Sequence, residues 1–471
     1  MLFRSGAMLH DSGAHLPWGI VMPYISATTV PGPYVVPAYA LEVTVAYTNK
    51  VATTPVRGAG RPQAVFAMER LLDRAARELH MDPAEIRRRN FIQASQMPYA
   101  LGLTFRDGKP AIYDSGDYPA AQEKALALSH YAGFPQRQKE ALEQGRYIGI
   151  GLGNYVEGTG LGPFEGVTVR IRENGRVQVQ SGAAPHGQGH VTMLQQIVAD
   201  QLNVPLAMID VALGDTAVMA MGIGTFASRI TANAGPSALL AATSVREKII
   251  KLAARVLEAN EADIVLDEGR AECATGNRRA IGFGDLVKIA LGAPGFSLPA
   301  GESPGLETTS YFTPPQAAYC NGSHAVEVEV DSETGAVKIL QYAVVHDSGK
   351  LLNPLIVDGQ IQGAVAHGIG NALYEFMAYD SNAQPQTTSF ADYLLPGAGE
   401  VPCVTASHIE TPSPLNPLGV KGAGEGGTIP AAAAIAAAIE NALSPLAVRI
   451  AETPVTPARL LQMIKAARGQ R

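Results

Sequence analysis

Four loops of this chain bring together residue types that can do chemistry. The first, His186-Gly187-Gln188-Gly189-His190, precedes a run in which Val191, Leu194, Val198 and Leu202 share one helical face. Glycines at such a place let backbone N–H groups approach an anion, and the helix end adds partial positive charge. Gln188 and His190 add side-chain donors, and no Gly-Lys-Ser/Thr follows, so the loop is not a P-loop. A tight strand-to-helix turn explains the same residues equally well. The second, Gly224-Thr225-Phe226-Ala227-Ser228-Arg229, leads into a long Ala-rich helix. Small residues, a hydroxyl and an arginine suit a phosphate, but a Ser N-cap beside a solvated Arg is the commoner arrangement for such residues.

A carboxylate set among glycines is less ordinary. Gly422-Ala423-Gly424-Glu425-Gly426-Gly427 precedes a helix beginning near Pro430. No neighbouring side chain shields Glu425, and the helix N-terminus favours its ionised form. That suits a general base, or a capping carboxylate. In the fourth loop Arg57 lies between Pro55-Val56 and Gly58-Ala59-Gly60, where a guanidinium can grip a substrate oxygen bidentately or simply be solvated. The histidines have no metal-ligand spacing, and there is no H-E-x-x-H. Neither a G-x-S-x-G elbow nor a Cys beside a His occurs, so nucleophilic acyl transfer is unsupported.

The elements that must position these loops read as short strand, Gly-rich loop, helix. Alternation predicts a strand over 34–47, and the loop of Arg57 then feeds a helix whose Val65, Met68, Leu72, Ala75 and Leu79 face one way. Asp82-Pro83-Ala84-Glu85 reads as a capping box with Pro at the first helical position. Glu165–Ile171 and Arg176–Ser181 form a hairpin around the two-residue turn Asn174-Gly175. A second hairpin, His324–Val330 and Ala336–His346, turns at Asp331–Gly335 and runs into a helical stretch, Gly359–Tyr374. Ala431–Ala438 reads as close helix packing. Near-equal shares of strand and helix predict an α+β chain with hairpin-built sheets, and a domain boundary falls near residues 130–145.

Of the 471 residues 49 are Gly and 32 Pro, with 46% hydrophobic and only 17% charged, which excludes disorder and collagen. The net charge of −7 offers no electrostatic ground for nucleic acid or an anionic membrane. Cys273, Cys320 and Cys403 are too few and too scattered for a zinc site or a disulfide framework. No apolar run reaches the ~18 residues of a membrane span. The opening Met1–Gly6 lacks the apolar core and cleavage site of a signal peptide, so a cytoplasmic protein is expected.

Taken together and in order, the loops resemble the molybdopterin-binding large subunit of the xanthine dehydrogenase, aldehyde oxidase and aerobic carbon monoxide dehydrogenase family. Arg57-Gly58-Ala59-Gly60-Arg61-Pro62-Gln63 resembles its substrate-side loop, and Arg87-Arg88-Arg89-Asn90-Phe91 follows at the expected place. Gly187-Gln188-Gly189-His190 is similar to its pterin loop, and Gly224–Arg229 to the loop around the cofactor's phosphates. Asn353-Pro354 with Gly359-Gln360-Ile361-x-Gly363 resembles another cofactor-side segment, and Gly419-Val420-Lys421-Gly422-Ala423-Gly424-Glu425 the loop of the catalytic glutamate.

The resemblance implies the family's α+β molybdenum-binding domains, with residues 1–140 the C-terminal part of the first and 141–471 the second. It implies Glu425 as base for inserting a water-derived oxygen at an electron-poor C–H of an aldehyde or N-heteroaromatic substrate, with Arg57 orienting the substrate. Gly187, Gln188, Gly189, His190, Thr225, Ala227, Ser228, Arg229, Gln360, Lys421, Gly422 and Gly424 would hold molybdenum–molybdopterin or its cytosine dinucleotide form. No side chain need ligate the metal. An iron–sulfur small subunit and an FAD-binding medium subunit are the partners implied. Carbon monoxide-oxidising members place a copper-holding Cys directly after the loop arginine; Gly58 stands there here, which favours a hydroxylase. The chain also reads as beginning partway through such a subunit, without the upstream G-G-G-F-G segment and the cofactor-side Gln. Either another chain supplies them, or this is a non-catalytic fragment or assembly subunit holding no molybdenum.

Overall fold

The computed structural model describes residues 4–15, 18, 20–160, 162–275, 279–295, 297–298 and 304–469; Met1–Phe3, at the head of the N-terminal run read above, lie outside them. The chain opens with a parallel ribbon, β1 (Arg4–Asp11) and β2 (Tyr39–Ala46), with α1 (Val21–Thr29) between its strands. The predicted strand over 34–47 is thus shorter, because Tyr34 leaves the ribbon to bridge Phe91. Next come α2 (Arg61–Glu78), α3 (Pro83–Asn90), the hairpin β3 (Tyr99–Thr104) and β4 (Pro110–Tyr113), α4 (Tyr118–Leu128) and α5 (Phe134–Glu143). The buried face of α2 is Val65, Met68, Leu72 and Ala76; Leu79, expected on it, lies beyond the last turn and is exposed. Asp82 does cap α3, accepting from the N–H groups of Ala84 and Glu85, but Glu85 turns to Arg88 and Arg89 instead of closing the box.

Two four-stranded sheets carry the rest. One starts with β5 (Tyr147–Thr159); the other with β6 (Glu165–Ile171) and β7 (Val177–Ser181), followed by α6 (His190–Leu202), β8 (Ile209–Leu213) and α7 (Ile230–Leu257). The β6–β7 hairpin forms as expected, but Arg172 and Arg176 also pair, leaving a three-residue loop closed by the left-handed Gly175. A small antiparallel sheet of β9 (Ile264–Asp267), β10 (Arg270–Cys273) and β11 (Ala280–Gly282), then α8 (Phe283–Ala290), lead to β12 (Glu307–Phe312), which completes the order β12-β6-β7-β8. β13 (Ala318–Val330), β14 (Val337–Asp347), α9 (Pro354–Leu373) and β15 (Val404–His408) give the order β15-β14-β13-β5, and α10 (Ala431–Ala442) and α11 (Pro457–Gly469) end the chain.

The architecture is therefore mixed α and β, with helix exceeding strand, 37% against 24%. The sheets are built on hairpins, but their β8 and β15 edges pair in parallel, each reached across a helix, α6 and α9. α6 and α7 cover the inner face of β6 and β7, burying Val167, Val169, Val177 and Val179; Val191, predicted for the buried face of α6, is exposed, and Met193 and Ile197 fill the core instead. α9, α10 and α11 cover β13 and β14. β5 lies against α10 at near-backbone contact. Gly149 and Gly151 alternate on one face, and a Cβ on either would come within 2.1 Å of a carbonyl oxygen of α10, Ala438 or Ala434. The Ala run is thus close packing, as read from the sequence. Among the described residues no helix is long and apolar enough to cross a membrane.

Candidate active site

The four loops converge where β5 ends. Gly58, Ala59 and Gly60 are three consecutive left-handed residues (φ +103°, +47° and +87°), a turn so sharp that the arginines on either side of it reach the same site. Arg57 donates to the carbonyl of Gly424 through Nε and to the carbonyl and side-chain oxygens of Gln360 through Nη2, at 3.0 and 3.3 Å. Arg61, the first residue of α2 and 1% exposed, donates from Nη1 to Glu425 Oε2 at 3.1 Å and from Nη2 to the carbonyl of Gly158 at 2.9 Å. Glu425 is 13% exposed, so one carboxylate is held by a buried guanidinium yet open on one side.

A second carboxylate stands behind it. Glu157, in β5, has no exposed side-chain surface; its Oε1 lies 4.0 Å from Arg61 Nη1 and accepts the Ser228 hydroxyl at 2.8 Å, while Oε2 accepts the Cys320 thiol at 3.3 Å. Ser228 Oγ in turn accepts the N–H of Glu425 at 3.1 Å. Burial, and next the charge of Glu425, push the Glu157 carboxyl up to about 7. Arg106, in the β3–β4 turn, also faces the pair: burial, then Arg61, push it down to about 10. Beneath the Glu425 loop, Gly426 sits on the Tyr155 hydroxyl and the His346 ring, which a Cβ would meet at 2.2 and 2.8 Å.

The two anion-friendly loops lie side by side. Thr225 Oγ1 donates to the carbonyl of Ala184 at 2.6 Å, and a Cβ on Gly182 would lie 2.5 Å from Gly222 Cα. Gly187 and Gly224 are left-handed with open space where a Cβ would stand, while a Cβ on Gly189 would strike Ile356 of α9 at 2.7 Å. Gln188 folds back to accept the N–H of His186. His190 begins α6, its Nδ1 buried without a partner; burial, then His186, push it down to about 4. Ala227 and Ser228 are both left-handed (φ +50° and +49°), backbone that non-glycine residues occupy at a cost. Gly422 packs on Ser228, whose carbonyl oxygen a Cβ would meet at 2.0 Å, and Gly424 sits by the Ser228 hydroxyl.

Two expected cofactor residues turn inward. Arg229 is fully buried, paired with Glu165 and donating to the carbonyls of Gly224 and Phe164 at 3.1 Å each, so its guanidinium braces the loop. Lys421 is buried on Asp347 at 3.2 Å and Thr411 Oγ1 at 3.0 Å. The resemblance had placed both at the site, but charge on a loop marks a ligand and an internal pair alike.

Two matches to the molybdopterin cofactor-binding domain cover residues 3–91 and 124–402. The chain belongs to the xanthine dehydrogenase family of molybdopterin-binding large subunits. It is 38% identical to the 6-hydroxypseudooxynicotine dehydrogenase complex subunit gamma of Paenarthrobacter nicotinovorans, over 93% of this chain and 54% of that one. It is 35% identical to the nicotine 6-hydroxylase large subunit of the same organism, over 98% and 57%. The structure of quinoline 2-oxidoreductase from Pseudomonas putida 86 matches with TM-score 0.90 and 37% identity, over 98% of this chain and 60% of that one. The chain thus spans about half the length of the curated relatives it matches.

The donor set fits the family's cofactor. The orphaned Nδ1 of His190 and the open flanks of Gly187 and Gly224, at the start of α6 and in the loop beside it, suit an anionic group. Among the described residues no group of three or more His, Cys, Asp or Glu could hold a metal by itself. Arg61 was within a quoted motif but not singled out, and Glu157 was passed over. The signal for Glu157 was present: it is the one charged residue of the 13-residue strand Tyr147–Thr159.

Proposed function

We propose that the chain forms part of a molybdenum hydroxylase acting on an electron-poor C–H, with an N-heteroaromatic ring the preferred substrate class over an aldehyde. Molybdenum–molybdopterin, when bound, supplies the oxygen-transfer and two-electron redox chemistry. The observation that carries the reading is Glu425: a carboxylate 13% exposed, oriented by Arg61 and flanked by glycines that leave its open side free. Such a group can take a proton while Arg61 keeps it in place. Arg57 fixes the Gly424 carbonyl and Gln360, so it orders the loop of the base; its guanidinium is largely withdrawn from water, where a hydrogen bond to a substrate oxygen strengthens. Gly187, Gln188, Gly189, His190, Thr225, Ala227, Ser228, Gln360, Gly422 and Gly424 form the wall for the pterin or its cytosine dinucleotide form, and Arg229 and Lys421 hold that wall from behind.

The heteroaromatic preference draws on relatives named for nicotine and quinoline at 35% and 37% identity. A carbon monoxide oxidase is disfavoured by the backbone at Gly58: φ is +103°, and a Cβ there would press on the Pro62 ring at 2.8 Å. Electrons would leave through an iron–sulfur small subunit and an FAD-binding medium subunit. The test is co-production with those partners, molybdenum and pterin analysis, and turnover of N-heterocycles and aldehydes. Glu425→Gln should bind the cofactor normally and lose at least ~100-fold in kcat, the scale of a general base. Full turnover in that variant would refute the assignment.

A further inference from the structure

The Glu425 reading leaves unexplained a second, wholly buried carboxylate that shares its guanidinium. We propose that Glu157 is a positioning residue whose protonation state decides how firmly Arg61 holds Glu425, through Arg61 between the two carboxylates and through Ser228, which joins Glu157 Oε1 to the N–H of Glu425. The proposal rests on the reading of Glu425 as the base. The geometry is asymmetric: Arg61 Nη1 is 3.1 Å from Glu425 and 4.0 Å from Glu157. While Glu157 is neutral, Arg61 serves Glu425 alone. Once Glu157 ionises, the guanidinium is divided between two anions, and Glu425 faces a like charge while its own ion pair weakens.

Every element packed on Glu157 bears on this balance. Arg57 and Arg61 flank α2's start, Arg106 faces it from the β3–β4 turn, Tyr155 lies two residues away in β5, Cys320 comes from β13, and Glu425 closes the loop side. Burial pushes the Cys320 thiol well up, so the sulfur stays protonated and can donate to Oε2. The site of change within this cluster is the carboxyl pair, since burial brings Glu157 to about 7. A proton arriving on Oε2 faces the Cys320 sulfur and leaves the Ser228 bond on Oε1 intact.

The experiment is an infrared pH titration of carboxyl and carboxylate bands of the chain, wild type and Glu157→Gln, with Glu425→Gln identifying the Glu425 signal. Alongside it, the pH profile of kcat/KM is measured in the assembled enzyme. Expected is a Glu157 step near 7 that is absent in Glu157→Gln and lower in Glu425→Gln, with the change in kcat/KM near pH 7 lost in Glu157→Gln. A Glu157 step unmoved in Glu425→Gln would overturn the proposal, as would a fall in the turnover of Glu157→Gln with no change in the profile. Should that variant not fold, Cys320→Ala removes the donor to Oε2 while keeping every charge; the Glu157 step must then rise, and an unchanged step overturns the proposal. If Glu425→Gln retained full activity, the catalytic reading would fail while the infrared shift still decided the coupling.

Discussion

Acid should loosen this fold through two histidines buried beside the candidate base. His324 and His346 have no exposed surface; His324 Nδ1 meets the Tyr342 hydroxyl at 2.9 Å, and His346 Nδ1 meets that of Tyr155. Their Nε2 atoms have no partner, so neither ring can share a second proton. Burial foremost pushes both down to about 3, from 6.5. A depressed folded-state value means that the unfolded chain binds the proton first. The stabilisation is therefore complete above about 6.5 and is lost as pH falls toward 3. Between pH 7 and pH 5 each ring costs about 2 kcal/mol, or ~4 kcal/mol for the pair. Glu157 works oppositely over the same window, because its raised value stabilises the fold below about 4.5 and loses that contribution as pH rises through 7. The histidine part is isolated by comparing urea unfolding at pH 7 and pH 5 for the wild type and His324→Gln/His346→Gln. The wild type should lose ~4 kcal/mol more than the variant across that interval. ¹³C NMR of the His Cε1 atoms, with signals assigned from the variant, should show the His324 and His346 rings neutral at pH 5. Equal losses in both proteins, or rings that titrate near pH 6.5, would refute the argument.

Other outcomes follow from packing and pairing. Gly151→Val would drive a Cβ to 2.1 Å from the Ala434 carbonyl and 2.4 Å from the Ala438 nitrogen, and should cost more than ~3 kcal/mol in a thermal melt. Gly359→Ala, in an exposed turn of α9 with nothing within 4 Å, should instead gain about 0.5–1 kcal/mol. Arg229→Met leaves Glu165 buried without its partner and should cost about 3–5 kcal/mol in urea unfolding, with Arg229→Met/Glu165→Met recovering most of the loss. No recovery would show that the arginine acts through packing and its loop carbonyls.

How far the molecule was legible from its sequence depended on how local the cause was. The hairpins at Asn174-Gly175 and Asp331–Gly335 were legible because a turn and its flanking alternation are neighbours in the chain. The parallel edges β8 and β15 were not, since each pairs with a strand on the far side of a helix. Loops at the site were readable as glycine clusters, but the sequence does not say toward what a charge on them points. Arg57 reaches the Gly424 carbonyl, next to Glu425, across 367 residues, whereas the charges of Arg229 and Lys421 are spent on Glu165 and Asp347. Glu157 was obscured for the reverse reason: an isolated carboxylate on an edge strand looks solvent-facing until the loops of Arg61, Ser228 and Glu425 are seen to bury it.

The buried arginines divide by what their partners lack. Arg229 and Glu165 are each fully enclosed and paired with one another. Arg61 is as deeply enclosed, but it faces two carboxylates, one of them open to the site. Burial, more than any neighbouring charge, raises the Glu157 carboxyl to about 7, so near neutrality it stands between its two forms. Arg87, equally enclosed, also holds two carboxylates, Glu69 and Asp73, so a shared guanidinium alone does not mark a site; what sets Arg61 apart is that its partner Glu425 keeps an open side.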